Sequence, residues 1–166
     1  VGSLELFEAG GGATAARAAQ QMGGLSMLSS VCLPGLEEVA KAAPDCARIF
    51  QLYVHGDPKW VGDIADRVMA SGYQAFCLTV DTAWYSRRER DLAKRNLRRR
   101  VVPGREHQPK LNWKDVDRIK QQLKIPLILK GIGTAEDAKL CVEHGVDVVY
   151  VSNHGGRQLD HGLGAM

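Results

Sequence analysis

The sequence predicts an α/β fold: part of a TIM (β/α)8 barrel, with about five βα units present and the last strands missing. Apolar runs of strand length alternate with single helical patterns, which indicates a parallel sheet with helices as crossovers. Polar residues stand at the end of each apolar run, where α/β barrels build their active sites. A doubly wound sheet would also bind ligands at that edge, but no G-x-G-x-x-G motif follows the first strand.

Length and composition narrow the class of protein. The chain has 166 residues, a net charge of +3 and 45% hydrophobic residues, and no apolar run reaches the length of a membrane helix. We expect one barrel domain over residues 1–166, cut at both ends because it begins and stops in mid-pattern. The small charge predicts no nucleic-acid partner. Four scattered cysteines predict no metal site and a reducing, cytoplasmic compartment, with peroxisomal or membrane-associated forms left open.

The first third of the chain carries two helical and two strand patterns. Residues 1–7 are short and apolar and predict the end of a strand. Residues 13–22 are rich in alanine and predict a helix that a glycine pair ends. Residues 25–30 predict a strand, and Pro34 suits the first turn of a helix reaching about residue 43.

The middle of the chain continues the alternation. Residues 47–54 predict a strand. Asp57 is placed to cap a helix with Pro58 at its first position, which extends to about residue 71. Residues 75–81 predict the next strand, in which Cys77 is a buried small hydrophobe.

The segment 82–112 interrupts the alternation. It is long and basic, with eight Lys or Arg and two acidic residues between Arg87 and Arg100. Pro103 and Pro109 argue against a late helix. Because loops of this length usually have a function, we interpret it as an active-site loop. Contact with an anionic partner or a membrane surface is an alternative, against the simpler reading of solvated charges.

The last third returns to helices and strands. Residues 113–123 predict a helix and residues 126–132 a strand. Thr134 is placed to cap a helix that ends near His144. The apolar run 146–151 predicts a buried strand, which leads into the polar sequence S-N-H-G-G-R-Q.

That polar sequence has a chemistry of its own. His154 and Arg157 are three residues apart on a turn that two glycines allow. A histidine exchanges a proton near neutral pH, and an arginine binds a carboxylate through two parallel hydrogen bonds. The pair therefore indicates a site that binds an acid and takes a proton from it. The alternative is a polar turn with a solvated histidine and arginine.

Six blocks in order along the chain resemble the FMN-dependent α-hydroxy acid oxidase and dehydrogenase family. The blocks are S-M-L-S-S (26–30), F-Q-L-Y (50–53), L-T-V-D-T (78–82), R-R-E-R-D (87–91), L-K-G (129–131) and S-N-H-G-G-R-Q (152–158). The resemblance implies a flavin-binding barrel that oxidises a small 2-hydroxy acid to a 2-keto acid. It implies FMN as cofactor, oxygen or another electron acceptor, and a possible homo-oligomer, a tetramer in the family.

The resemblance also implies roles for individual residues. His154 matches the catalytic base and Asp81 the carboxylate that pairs with it. Arg157 and Arg88 match the arginines that hold the substrate carboxylate, and Tyr53 matches the tyrosine that hydrogen-bonds the reacting hydroxyl. The expected flavin ligands are Lys130 at the N1–O2 edge, with Ser29, Gln51, Thr79, Ser152 and Gly2.

Some residues depart from the family's pattern. Val31 stands where glycolate oxidases have a tryptophan, which predicts a roomier substrate pocket. Trp84 and Tyr85 replace a shorter loop sequence. The later segments that hold the FMN phosphate are absent, so we expect the 166-residue chain alone to show no flavin absorbance. A related FMN isomerase, or an incomplete fragment that only associates with its missing half, are the alternatives.

Overall fold

The five strands lie in one parallel sheet in the order in which they occur along the chain. The computed structural model describes residues 2–83, 89, 93–94, 103–159 and 162–165. The strands are β1 (Leu25–Ser29), β2 (Ala47–Leu52), β3 (Ala75–Thr79), β4 (Leu127–Ile132) and β5 (Val148–Val151). A doubly wound sheet reverses its strand order at a switch point, and the observed order has no such reversal.

Helices connect the strands wherever the connection is described in full. These connecting helices are α2 (Leu36–Ala42), α3 (Pro58–Ala70) and α5 (Ala135–Glu143). In addition, α1 (Gly11–Gln21) precedes β1 and α4 (Trp113–Gln122) precedes β4. The predicted caps are confirmed: the Asp57 side chain accepts from the Trp60 amide at 2.8 Å, and the Thr134 hydroxyl accepts from the Asp137 amide at 3.1 Å. Within the described residues, no helix combines the length and apolarity that a bilayer span requires.

The two faces of the sheet have different packing. The helices cover the outer face, where Phe76, Leu78, Leu127 and Leu129 are buried. On the inner face, Cys77 and Ile128 form a smaller cluster with their neighbours. Burial raises the pKa of the Cys77 thiol to about 12, so this cysteine is an inert core residue, as predicted.

The register of the sheet staggers the strand ends. Ser29 lies opposite Gln51, but Gln51 lies opposite Cys77, so Thr79 stands two residues further along. Thr79 in turn lies opposite Lys130. Because side chains alternate between faces, these polar residues share the inner face, with one step of two residues between β2 and β3. A stagger between neighbouring strands is typical of a tilted barrel wall.

Three predictions of local structure were wrong. A strand end was predicted over residues 1–7, but the described part of this segment, residues 2–7, contains a 3-10 turn (Leu4–Leu6) and no strand. Ser3 adopts a φ of 56°, and the turn closes its own hydrogen bonds. The run 146–151 forms β5, but Val148, Tyr150 and Val151 are 46%, 42% and 49% exposed. No described strand covers the outer edge of β5.

The third concerns the loop 82–112, for which no late helix was expected. A 3-10 helix (Arg105–Lys110) lies there and contains Pro109. Such a helix tolerates the proline because it is short and needs few backbone donors. Most of the rest of this loop lies outside the described residues.

Candidate active site

A bulge at Gly131 shapes the end of β4. Lys130 pairs with Tyr150 and Ile132 with Val151, so Gly131 is an extra residue in its strand. Its φ is 110°, and a Cβ atom there would lie 2.5 Å from the Asp81 Cβ. Only glycine therefore fits, and it lets the end of β4 approach Asp81 closely.

The turn after β5 holds His154 in an uncommon backbone conformation. His154 has a φ of 58°, in the left-handed region. The Asn153 side chain accepts from the amides of Gly155 and Gly156 at 3.1 and 3.2 Å, and the His154 amide donates to the Ser152 hydroxyl at 3.2 Å. These bonds stabilise the turn and aim the imidazole back over the sheet.

His154, Asp81 and Lys130 form a charged cluster at the strand ends. The His154 Nδ1 lies 2.9 Å from the Asp81 Oδ1, and the Lys130 Nζ lies 3.7 Å from the Asp81 Oδ2. The side chains of Asp81, Lys130 and His154 are 10%, 16% and 20% exposed. Ion pairs this sheltered are screened less than surface pairs.

The two contacts of the His154 Nδ1 compete for one atom. Lys130 Nζ lies 3.5 Å away and can only donate, whereas Asp81 at 2.9 Å can only accept when ionised. The shorter contact has the better geometry. We therefore assign the hydrogen of the neutral ring to Nδ1, which leaves the lone pair on Nε2.

Tyr53 lies on the open side of the imidazole. Its hydroxyl is 3.2 Å from the His154 Nε2. Burial, and then the charge of Asp81, raise the pKa of Tyr53, so its hydroxyl remains a donor at neutral pH. The Tyr53 hydroxyl is thus placed to donate to the lone pair of the His154 Nε2.

The inner row of polar side chains adjoins this cluster. Ser29, Gln51 and Thr79 are 1%, 6% and 0% exposed. The Gln51 amide donates to the Thr79 hydroxyl at 2.6 Å, and Lys130 Nζ lies 3.3 Å from the Ser152 hydroxyl. Hydroxyl, amide and ammonium groups on one rim offer the donors and acceptors that the polar edge of a flavin ring requires.

Other predicted residues stand apart from the cluster. Arg157 is exposed on the same turn as His154, with its guanidinium beside Gly155. Gly2 lies against Val31, where a Cβ would come within 2.6 Å of the valine Cγ2. Arg88 lies outside the described residues, as do Trp84 and Tyr85. The roles predicted for all of these stay predictions.

A cavity of about 590 Å³ lies beside the cluster rather than in it. Asp81, Gly131 and Ser152 form part of its wall, but Tyr53, Lys130 and His154 do not. Most of its lining is apolar, and α4 and the 3-10 helix before it contribute Trp113, Val116 and Pro109. Its size does not make it the reaction site, because, of the paired titratable groups, only Asp81 lines it.

Sequence reasoning missed three residues that shape the site. Gly131 lies within the strand predicted over residues 126–132, and a glycine within a strand is a known signal of a bulge. Asn153 is the second residue after the apolar run 146–151. Gln108 carries no such signal. It is 4% exposed, and its side chain bonds to backbone atoms far away in sequence.

Comparisons with known proteins agree with the geometry. A family model described as FMN-dependent dehydrogenase matches residues 1–103 and 94–166. The chain is 36% identical to the L-lactate oxidase of Lysinibacillus sphaericus, covering 100% of this chain and 50% of that protein. It is 37% identical to 2-hydroxyacid oxidase 2 of Homo sapiens, covering 91% of this chain and 47% of that protein.

A comparison with solved structures also finds similarity to hydroxy acid oxidases. Mandelate oxidase with (S)-2-phenylpropionate matches with a TM-score of 0.87 at 33% identity, covering 99% of this chain and 49% of that chain. The predicted partial barrel is confirmed. The chain spans about half the length of the curated relatives and structures that it matches.

Proposed function

The chain belongs to the FMN-dependent dehydrogenase family, and we propose that it carries the catalytic base of an enzyme that oxidises a 2-hydroxy acid to a 2-keto acid. The observation on which this rests is the imidazole of His154, held by Asp81 at 2.9 Å on one nitrogen and facing the Tyr53 hydroxyl with the other. An FMN isomerase would need the inner row of polar side chains to hold its flavin, but it would not need a base combined with an arginine that binds a carboxylate.

FMN is the cofactor we propose for the inner row. Lys130, Ser29, Gln51, Thr79 and Ser152 would hold the ring, and Gly2, which has no room for a Cβ, would admit its close approach. When bound, FMN supplies a two-electron acceptor that molecular oxygen can reoxidise. A cation at Lys130 would offset negative charge that develops on the ring edge during the reaction.

His154 would act as the base through Nε2. The substrate loses one hydrogen from its α-carbon and one from its hydroxyl, and a C=O bond replaces the C–O single bond. His154 accepts a proton, and Asp81 stabilises the imidazolium that results because an adjacent anion favours the charged form. The electron pair leaves as a hydride or through a carbanion, and both routes use the same base.

Arg157 and Arg88 would hold the substrate carboxylate. An arginine fork binds a carboxylate through two parallel hydrogen bonds, which orients as well as attracts it. Arg157 lies exposed three residues after His154, so its guanidinium is free to turn towards a bound acid. Tyr53 would bond the substrate hydroxyl from the other side of the ring.

The oxidases among the relatives suggest oxygen as the acceptor. Two electrons and two protons would then convert one oxygen molecule to hydrogen peroxide for each 2-keto acid formed. The predicted homo-oligomer and cytoplasmic location stay predictions from the sequence.

Anaerobic bleaching of the FMN-loaded holoenzyme tests the proposal. A panel of short, branched and aromatic 2-hydroxy acids is added, the loss of yellow absorbance is followed, and oxygen is then admitted. We expect at least one acid to bleach the flavin, with rapid recolouring and peroxide release. Bound flavin that no acid bleaches would remove the proposed reaction. Bleaching followed by slow recolouring would keep the reaction but exclude oxygen as the natural acceptor.

A further inference from the structure

Gln108 is a buried polar side chain that the reaction does not use. It belongs to the 3-10 helix Arg105–Lys110, at the end of the long loop that follows β3. It is 4% exposed, and glutamine is seldom buried so deeply unless its amide is fully bonded. Its position therefore depends on the groups that it contacts.

The Gln108 amide joins the ends of two neighbouring strands. Its Oε1 accepts from the Val54 amide at 2.7 Å, and its Nε2 donates to the Thr79 carbonyl at 2.8 Å. Both partners are backbone groups just beyond or at the last residue of β2 and β3. One side chain thus bridges the backbones of two strands at the active-site edge, where they make no direct backbone hydrogen bond through these two groups.

The bonded residues adjoin the residues proposed for the reaction. Val54 directly follows Tyr53, whose hydroxyl faces His154 at 3.2 Å. Thr79 precedes Asp81 by two residues, and its hydroxyl accepts from Gln51 at 2.6 Å. Gln108 therefore fixes the distance between the backbone that carries the tyrosine and the backbone that carries the aspartate.

A second contact holds the same part of the loop in place. Gly104 has a φ of 80°, and a Cβ there would lie 1.9 Å from the His55 carbonyl oxygen. Burial, and then the charge of Arg105, lower the pKa of His55. The loop thus packs directly on the backbone that follows Tyr53, so Gln108 is not an isolated contact.

We propose that Gln108 is a positioning residue that couples the long loop to the alignment of Tyr53 with the His154–Asp81 pair. This inference rests on the proposed function. When Gln108 bonds both Val54 and Thr79, the Tyr53 hydroxyl and the Asp81 carboxylate are held in fixed positions beside the His154 ring. When these bonds break, the ends of β2 and β3 separate and the tyrosine hydroxyl loses its place against the ring.

The first experiment separates positioning from general stabilisation. Gln108→Leu is made in the holoenzyme and again in a Tyr53→Phe background. We expect the rate of flavin bleaching at saturating acid to fall about 10-fold or more in the parent, and about 3-fold or less once the hydroxyl of Tyr53 is gone, because residues that act through one another are not additive. Equal losses in both backgrounds would overturn the proposal.

The second experiment uses a variant close in shape. Gln108→Glu keeps the acceptor for Val54 but puts a carboxylate against the Thr79 carbonyl; protonation restores a donor. The bleaching rate of this variant, divided by that of the parent at each pH, should rise as the pH falls. A ratio that is constant from pH 5 to 9 would contradict the proposal, even if Gln108→Leu does not fold.

A third measurement does not depend on activity. Deuterium exchange of the peptide that contains Val54 should be faster in Gln108→Leu than in the parent, because the Val54 amide loses its acceptor. If no acid bleaches the parent flavin, the proposed function fails while this exchange still tests the contact itself. Unchanged exchange at Val54 would overturn the positioning role whatever the enzyme does.

Gln122→Leu is the matched control. The Gln122 amide also joins two elements, donating to the Gly62 carbonyl at 3.0 Å and to Asp66 at 2.8 Å, but it lies between outer helices. We expect it to leave the bleaching rate and the Val54 exchange near those of the parent. If it reproduced the effects of Gln108→Leu, the role assigned to Gln108 would be general packing and the proposal would fail.

Discussion

Two histidine–aspartate pairs lie on opposite sides of the sheet. His154 contacts Asp81 at 2.9 Å at the inner strand ends, and His144 contacts Asp117 at 2.6 Å between α5 and α4. Both use Nδ1 and a carboxylate oxygen. By distance alone the outer pair would rank as the better catalytic dyad.

The surroundings of the two rings differ. The His144 ring stacks on Trp113, with centroids 4.7 Å apart and planes at 16°, and the Asp117 side chain is 41% exposed. Among the described residues, no hydrogen bond to its Nε2 is found. His154 has a tyrosine hydroxyl at Nε2, a lysine beside its partner and a carboxylate only 10% exposed.

The comparison separates a pair with only structural contacts from the pair proposed for the reaction. A histidine–aspartate contact fixes a ring and a tautomer in either place. Reactivity further requires a free nitrogen that faces a partner able to exchange a proton, in a sheltered setting where charges act strongly. Variants of the two pairs should therefore differ in their effect on turnover, most strongly at the histidines.

Removing each histidine in turn is the strongest test. In the FMN-loaded holoenzyme, His154→Gln should keep the flavin but slow its bleaching by about 10²- to 10⁴-fold, the usual contribution of a general base. His144→Gln should change the rate little. Stopped-flow absorbance with a saturating 2-hydroxy acid measures both. A comparable loss in the two variants would erase the distinction between the pairs.

Neutralising each carboxylate should have a smaller effect. Asp81→Asn removes the anion that stabilises the imidazolium, and a hydrogen bond to a charged group accounts for roughly 10- to 100-fold in rate. Asp117→Asn should lower the melting temperature by a few degrees at most and leave the bleaching rate intact. If Asp81→Asn bleached as fast as the parent, Asp81 would have no part in the chemistry.

The pKa of Tyr53 tests the environment of the His154–Asp81 pair without any substrate turnover. This pKa is raised first by burial and then by Asp81, so Asp81→Asn should bring it down while leaving it above that of a free phenol. Absorbance titration at high pH, with Tyr53→Phe subtracted, measures the shift. Asp117→Asn should not move it. An unchanged Tyr53 titration in Asp81→Asn would show that the two groups do not interact.

The smallest expected effect is on stability and comes from Asp147. This carboxylate lies at the amino-terminal end of the sheet, opposite the proposed active site. Asp147 accepts from Lys120 and from the Leu127 amide, and these bonds lower its pKa. A lowered pKa contributes stability above the unfolded value, roughly pH 4, and this contribution disappears as the pH falls through the folded value. Asp147→Asn should therefore be less stable than the parent at pH 6, with the difference shrinking towards pH 3 in denaturant unfolding. A difference that grew on acidification would contradict this assignment.

Local signals account for the parts of the fold that were predicted correctly. Asp57 with Pro58, and Thr134 before two acids, identify helix starts because a cap acts on amides two or three residues away. The strand ends that carry Gln51, Thr79 and Lys130 were visible as apolar runs followed by polar residues. The chemistry assigned to them came from the family resemblance.

The errors and omissions involve contacts distant in sequence. Gln108 bonds to residues 54 and 29 positions earlier, which no local pattern encodes. The exposure of β5 depends on which strand lies beside it, whereas periodicity reports only that the run is apolar. The side chain of His144 is only 26% exposed because Trp113 and Asp117 lie against it, and no local pattern at the end of α5 predicts this contact.

The bulge at Gly131 limits how this protein can vary. Every missense change at a glycine codon adds a Cβ atom. At position 131 that atom would overlap Asp81 while the backbone stays at a φ of 110°. Because Gly131 lies directly against Asp81, relief of the overlap would displace Asp81 from His154. In a saturation library selected for turnover, this codon should tolerate only synonymous changes, as strictly as the codon for His154.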